Sequence, residues 1–304
     1  FTRNFKFENM LDYLTVLVSV ISSSEREAAY VIDGLMHNEV VKSDIHSTDT
    51  HGYSEIIFAT MQLLGFVFAP RIKNLKEQVL YSFSFETIKQ YQEKSYKVLP
   101  AKYIKTEIIE ENWDDILRFI ATIKLKETSA SQLFKRLTSY SKQNPLYKAL
   151  KAFGQIFKSL FILKYIDNVE LRQDIEKQLN KIESANKFSK AVQVGNNNEF
   201  NYLTKEEQEI ATSCKRLIKN SIICWNYLYL SDKLAKSDKK KEEEMIDLIK
   251  SSSIVIWRHV NFNGMYDFTE EKIKKATDFD IPKILNWKVS KMVHDETYLD
   301  SFGT

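Results

Sequence analysis

Seven glycines and four prolines are all the chain-breaking punctuation in 304 residues. A chain so poor in helix terminators and turn formers is expected to run mostly as long helices. With 43% hydrophobic and 28% charged residues, it has the profile of a globular protein with a large core. No apolar run approaches the roughly 20 residues needed to span a bilayer, so no membrane partner is expected. The longest, Leu14 to Ile21, is broken by Ser19 and reads as a buried strand. The chain begins at Phe1 with no cleavable signal pattern, and is expected to be the C-terminal part of a longer protein.

Two cysteines, Cys214 and Cys224, have neither zinc-ligand spacing nor a partner framework, and read as buried reduced thiols. That fits a cytoplasmic location. The net charge of +3 implies no polyanionic partner by itself, but the charge is unevenly spread. From Ala121 to Lys164 nine basic residues face a single acid, Glu127. Such a field attracts phosphates, although lysine-rich helix faces often serve only solvation.

The first 70 residues alternate. After the Leu11–Ser22 strand, Ser24 with Glu25 and Glu27 signals a helix carrying Ala29, Val31, Ile32 and Leu35. A β-like segment from Ser43 ends in turn chemistry at Gly52. Tyr53 to Leu64 is the next helix, with Gly65 as its left-handed stop. Phe66 to Ala69 is a strand halted by Pro70. Strand, helix, strand, helix, strand describes an α/β sheet with crossover helices. From Glu86 to Asp167 the period is almost wholly helical, with a break at Gln143-Asn144-Pro145. Val169 to Val192 is a helix with the stripe Leu171, Ile175, Leu179 and Ile182; Gly195 to Asn198 is a loop. Helices resume at Lys205–Lys233 and Met245–His259, the charge run Lys239–Glu244 being a solvated helix start.

No glycine-rich phosphate loop, Gly-x-Ser-x-Gly elbow or His-Glu-x-x-His occurs, and the five histidines do not cluster by spacing. Asp49 stands at the C-terminal end of a strand, followed at once by a Thr-His-Gly turn and a helix. Catalytic groups collect at such positions, though an aspartate there is also ordinary turn chemistry. Glu183 follows Leu179 by four residues on the edge of an apolar stripe, where a carboxylate is costly unless a cation or metal meets it.

Four blocks frame these two acids: REAAYVIDGL from Arg26, STDTHGYSEIIFATMQLLGFVFAPRIKNL from Ser47, LFILKYIDNVELRQDIEKQLNKIESANKFSKAV from Leu160, and WRHVNFNGMYDF from Trp257. Together and in order, they resemble the C-terminal catalytic domain of the Tn-three family of bacterial replicative transposases, mobile-element enzymes of DNA recombination. The resemblance implies a predominantly helical α/β fold: a partial RNase H-like sheet interrupted by a large helical insertion, with a helical C-terminal region. The expected parts are a core segment over residues 1–72, a basic insertion over 73–165, and a Glu-bearing helix with helical tail over 166–304.

For the site, the resemblance places the second acid of an Asp-Asp-Glu set at Asp49, within Thr48-Asp49-Thr50. The Glu falls at Glu183, within Asn180-Lys181-Ile182-Glu183, where Ile182 replaces the family's glycine. The first Asp is expected upstream of Phe1; Asp12 and Asp33 are not substitutes by motif, Asp33 lying within a helix. Asp49 and Glu183 are thus the expected catalytic and metal-binding residues, meeting at one sheet rim around Mg²⁺, or Mn²⁺, with a full two-metal site only in the longer parent. The expected activity is metal-dependent DNA strand cleavage and strand transfer, with no turnover by two acids alone; the alternative is an inactive remnant that binds DNA or a sister transposase. Implied partners are terminal-repeat and target DNA, and a second copy of the parent as a dimer, in a nucleoid-associated setting. Lys135, Arg136, Lys148, Lys151 and Lys158 are expected phosphate contacts on the insertion. Arg71, Arg172 and Lys181 are expected nearer the scissile bond, with Asn180 and Asn186 beside Glu183. Trp257 and His259 read equally as structural or site-lining residues.

Overall fold

The computed structural model describes residues 27–37, 45–48, 52–139, 144–193, 202–251 and 255–286. The Leu11–Ser22 strand and the Gly195–Asn198 loop lie outside the described residues. Twelve helices and four two-residue strands are described, so the fold is predominantly helical α/β with two small parallel sheets. The chain divides into two compact units, residues 21–179 and residues 1–20 with 180–304, and the division falls inside one helix.

In the 21–179 unit, α1 (Glu27–His37) precedes β1 (Ile45–His46), which pairs in parallel with β2 (Val67–Phe68). The register sets Ile45 opposite Val67 and His46 opposite Phe68. Ala69 N–H donates to His46 C=O at 2.8 Å and Arg71 N–H to Thr48 C=O at 2.9 Å, carrying the ladder past the strands. The crossover is α2 (Glu55–Leu64), which buries six consecutive residues, Ile56 to Met61, as a helix covered on all sides must. It stops at Gly65, whose φ of 86° only glycine adopts without strain, and Gly65 and Phe66 N–H groups close onto Gln62 and Met61 carbonyls.

What covers α2 is α7 (Pro145–Asp167), which Asn144 caps by accepting from Tyr147 N–H, with proline at its first position. The two backbones approach so closely that a Cβ on Gly154 would lie 1.6 Å from Glu55 O. Around this crossing Phe58 meets Phe68 edge-on at 5.0 Å and Phe161 at 5.7 Å. From α5 (Trp113–Lys124), Ile116, Phe119, Ile120 and Ile123 are buried at helical spacing, and Phe119 meets Phe134 of α6 (Ala130–Ser139) edge-on. Asp33 caps α6, its two carboxylate oxygens accepting from Ala130 and Ser131 N–H.

The helical reading of residues 86–167 is corrected at one place. Beyond α3 (Phe85–Glu93), β4 (Lys102–Tyr103) pairs in parallel with β3 (Tyr81–Ser82), ahead of α4 (Thr106–Glu111). Pro100 explains it, since it lacks an N–H and drives the preceding residue into extended backbone.

Only Asn168 separates α7 from α8 (Val169–Val192), the helix in which the units divide. The 180–304 unit is built on α9 (Lys205–Lys236), opened by a capping box between Thr204 and Glu207. Its core joins Phe188 and Val192 of α8, Ile223 and Tyr227 of α9, and Val255. Next come α10 (Lys239–Ser251), α11 (Glu270–Thr277) and α12 (Ile281–Asn286). A helix over Met245–His259 is not what forms. α10 is described as far as Ser251, and Val255–His259 is non-helical. The thiols also differ from expectation: Cys214 is exposed, because its helical position faces away from the core, and Cys224 is half-buried, with burial raising its pKa. Among the described residues no helix is long and apolar enough to cross a membrane.

Candidate functional site

Strand β1 delivers the chain to Thr48, and Asp49, Thr50 and His51 follow outside the described residues. The chain returns at Gly52, where an added Cβ would lie 2.8 Å from Thr48 Cβ and 2.9 Å from its Oγ1. The two ends of the Asp49 segment are therefore in van der Waals contact, and glycine is required by space. Just before it, His46 stacks on Phe68 with rings 8° from parallel. Burial lowers the His46 pKa to about 4, so the imidazole is neutral at pH 7. His46 Nε2 and Thr48 Oγ1 are buried and find no hydrogen-bond partner among the described residues.

On the helix side, Glu55 in the first turn of α2 accepts from Lys158 Nζ at 3.0 Å, an ion pair largely withdrawn from water. Burial pushes the Glu55 pKa up, but the charge and hydrogen bond of Lys158 outweigh it and hold the carboxyl below its ordinary value. Lys158 Nζ also lies 5.8 Å from the Tyr53 ring centroid. This ammonium thus ties α7 to the start of α2.

Glu183 sits where α8 changes the face it buries. Leu171, Ile175 and Leu179 are buried, as expected, but Ile182 is 45% exposed and the buried series continues at Phe188 and Val192. Nine residues separate Leu179 from Phe188, roughly two and a half helical turns, so the buried positions swing to the opposite side. The expected stripe through Ile182 is thereby corrected. Glu183 falls in the changeover, exposed, and makes no hydrogen bond or ion pair among the described residues. Being exposed, this carboxylate needs no partner to offset burial, contrary to expectation. An exposed, uncommitted carboxylate is instead chemically suited to a hard cation. Asn180 and Asn186 are exposed beside it, and Lys181 is half-buried.

Of the expected phosphate contacts, Lys135 and Arg136 on α6 and Lys148 and Lys151 on α7 are exposed, whereas Lys158 pairs with Glu55. Arg71 and Arg172 are engaged: Arg71 pairs with Glu176 at 3.5 Å, and one Arg172 nitrogen donates to the Tyr165 and Ile166 carbonyls at 2.6 Å each, closing the end of α7. Asp33 is occupied in capping α6. Trp257 is half-buried, stacked on Phe188 at 4.8 Å and 5°, whereas His259 is exposed and stacked on Trp225. Sequence reasoning missed Glu55, Trp225 and Tyr229; for the last two, the i, i+4 spacing of aromatic residues was the available signal. Among the described residues no three His, Cys, Asp or Glu side chains group as a metal site.

The family described as the Tn3 transposase DDE domain matches residues 9–266. The transposase for transposon Tn1546 of Enterococcus faecium is 36% identical over 255 residues, covering 84% of this chain and 25% of that protein. The transposase for transposon Tn501 of Pseudomonas aeruginosa is 33% identical over 264 residues, covering 86% and 26%. The transposase for transposon gamma-delta of Escherichia coli (strain K12) is 29% identical over 254 residues, covering 82% and 25%. The chain therefore spans about a quarter of the length of these relatives.

Proposed function

The chain belongs to the Tn3 transposase DDE domain family, and from that premise we propose that it is part of the phosphoryl-transfer domain of a DNA transposase acting in replicative transposition. The observation that carries the reading is the match over residues 9–266, together with Glu183 standing exposed and uncommitted on α8. In this reading Asp49 and Glu183 hold Mg²⁺, or Mn²⁺, through carboxylate oxygens. The bound ions supply charge neutralisation at the phosphate and activation of the attacking oxygen. The protein's own part is positional. The Thr48–Gly52 contact and the Glu55–Lys158 pair fix both ends of the segment bearing Asp49.

Lys135, Arg136, Lys148 and Lys151 contact phosphates of terminal-repeat or target DNA, so binding weakens steeply with salt. Lys181, Arg71 and Arg172 lie closer to the carboxylates in this reading, the two arginines ordering the α7–α8 joint rather than reaching DNA through the atoms already engaged. Asn180, Asn186, Trp257 and His259 line the same site. Residues 1–72, 73–165 and 166–304 serve as core segment, basic insertion and Glu-bearing tail. Assembly as a dimer and work at the nucleoid in the cytoplasm complete the proposal.

The test is Mn²⁺ binding followed by electron paramagnetic resonance on the chain, with Asp49→Asn and Glu183→Gln. Each substitution is expected to weaken binding about tenfold or more, as loss of one of two anionic ligands should. Unchanged binding in either variant removes that residue from the metal site. Mg²⁺-dependent nicking of supercoiled DNA measures turnover separately: DNA binding without nicking marks a chain that grips DNA and does no chemistry.

A further inference from the structure

We propose that the exposed end of an aromatic ladder in the 180–304 unit, at His259, is a stacking site for an unpaired nucleobase. The ladder starts on α9, where Trp225 and Tyr229 are one helical turn apart and stack at 5.1 Å and 15°. A further turn on, Lys233 Nζ lies 5.5 Å from the Tyr229 ring centroid. His259, from the segment after α10, stacks on Trp225 at 5.8 Å and 25°. Trp225 is held in place, its Nε1 donating to Ala276 C=O at 2.9 Å while Phe279 meets it edge-on.

The segment carrying His259 is pinned just ahead of it. Asn226 Nδ2 donates to Ile256 C=O at 2.8 Å, and Trp257 lies flat on Phe188. A stack built only for packing buries its rings, yet this one ends in water at His259, which is exposed, while Lys233 lies over the Tyr229 end. Pre-ordered rings with an open end are what sequence-tolerant base binding requires, because every base has a π-face. Bases inside a duplex already cover one another, so the ligand is an unpaired one. Arg258, exposed beside His259, is placed for the adjoining phosphate. The location fits as well: Phe188, on which Trp257 rests, follows Glu183 by five residues of α8, a rise of roughly 7–8 Å. The base bound here is therefore one near the phosphate that Glu183 serves, a step that rests on the DNA-acting reading above.

The experiment uses the chain with a blunt DNA duplex and with the same duplex carrying a single-stranded tail that contains 2-aminopurine. The expected result is quenching of the tail on binding and tighter binding of tailed than of blunt DNA. His259→Ala should remove most of the quenching and weaken the tailed complex by roughly tenfold, several times more than it weakens the blunt complex, and His259→Phe should restore both. Quenching that survives His259→Ala, or equal weakening of both complexes, overturns the ladder as a binding site. Blunt-duplex binding with neither tail preference nor quenching overturns the ladder alone. Failure to bind either DNA overturns the ladder and the DNA-acting reading together.

Discussion

The two units of this chain solve the same problem in different ways. In residues 21–179 the central helix α2 is buried all round and α7 crosses it at backbone contact through Gly154, with phenylalanines filling the corners. In residues 180–304 a smaller core of Phe188, Val192, Ile223, Tyr227 and Val255 is supplemented by stacked rings and by buried polar groups, among them Lys219, Asn226, Ser231 and Asp232. The first arrangement fixes backbone positions through shape. The second fixes side chains through stacking and hydrogen bonds, and leaves the rings of Tyr229 and His259 partly exposed.

The sharpest way to break this contrast is Gly154→Ala. The new Cβ would meet Glu55 O at 1.6 Å, and since backbone must separate, a loss of at least about 3 kcal/mol is expected. Hydrogen exchange should show deprotection over residues 52–64 and 145–167, with residues 205–236 keeping their protection. Uniform deprotection of both regions would mean that they fold as one cooperative block.

Second in size is the acid sensitivity set by His46. Its folded pKa of about 4 lies below the ordinary 6.5, so between these values the unfolded chain holds more protons. Stability should therefore fall as pH drops from 6.5 towards 4, by up to on the order of 3 kcal/mol. Urea midpoints across this window should trace that loss, and His46→Leu should flatten it; an equally steep profile in the variant assigns the effect to another group. The smallest effect is expected in the 180–304 unit. Thr204→Ala removes the hydroxyl that caps α9 and should cost about 1 kcal/mol, read as faster exchange confined to the first turns of that helix. A larger or global loss would show that this unit is more tightly coupled than its sparse core implies.

Local chemistry made much of this fold legible. Gly65 as a left-handed stop, the break at Asn144-Pro145, and the span Val169–Val192 were all readable because caps and periodicity act over a few residues. What escaped depends on distant partners. Nothing near Gly154 in the sequence marks it as the point where Glu55 lies against α7, and Lys158 reads as one more basic residue although it pairs 103 positions away. Ile182 was assigned to a stripe that a single periodicity would continue, but α8 serves two cores in succession. The candidate site divides similarly. Asp49 and Glu183 were picked out by motif, whereas the Trp225–His259 stack joins residues from separate segments and no spacing rule would have paired them.

Asn168 gives the far end of the Leu171–Leu179 row a mechanical sensitivity. Leu179 stands ten residues beyond Val169, roughly 15 Å along a helix that departs from α7 through one non-helical residue. Over such a lever arm a tilt of about 5° sweeps the Leu179 end through about 1.3 Å, enough to open a gap in a close-packed core. The Arg172 guanidinium that clamps the Tyr165 and Ile166 carbonyls sits at the pivot. Small forces at that pivot therefore set how tightly Leu171, Ile175 and Leu179 seat.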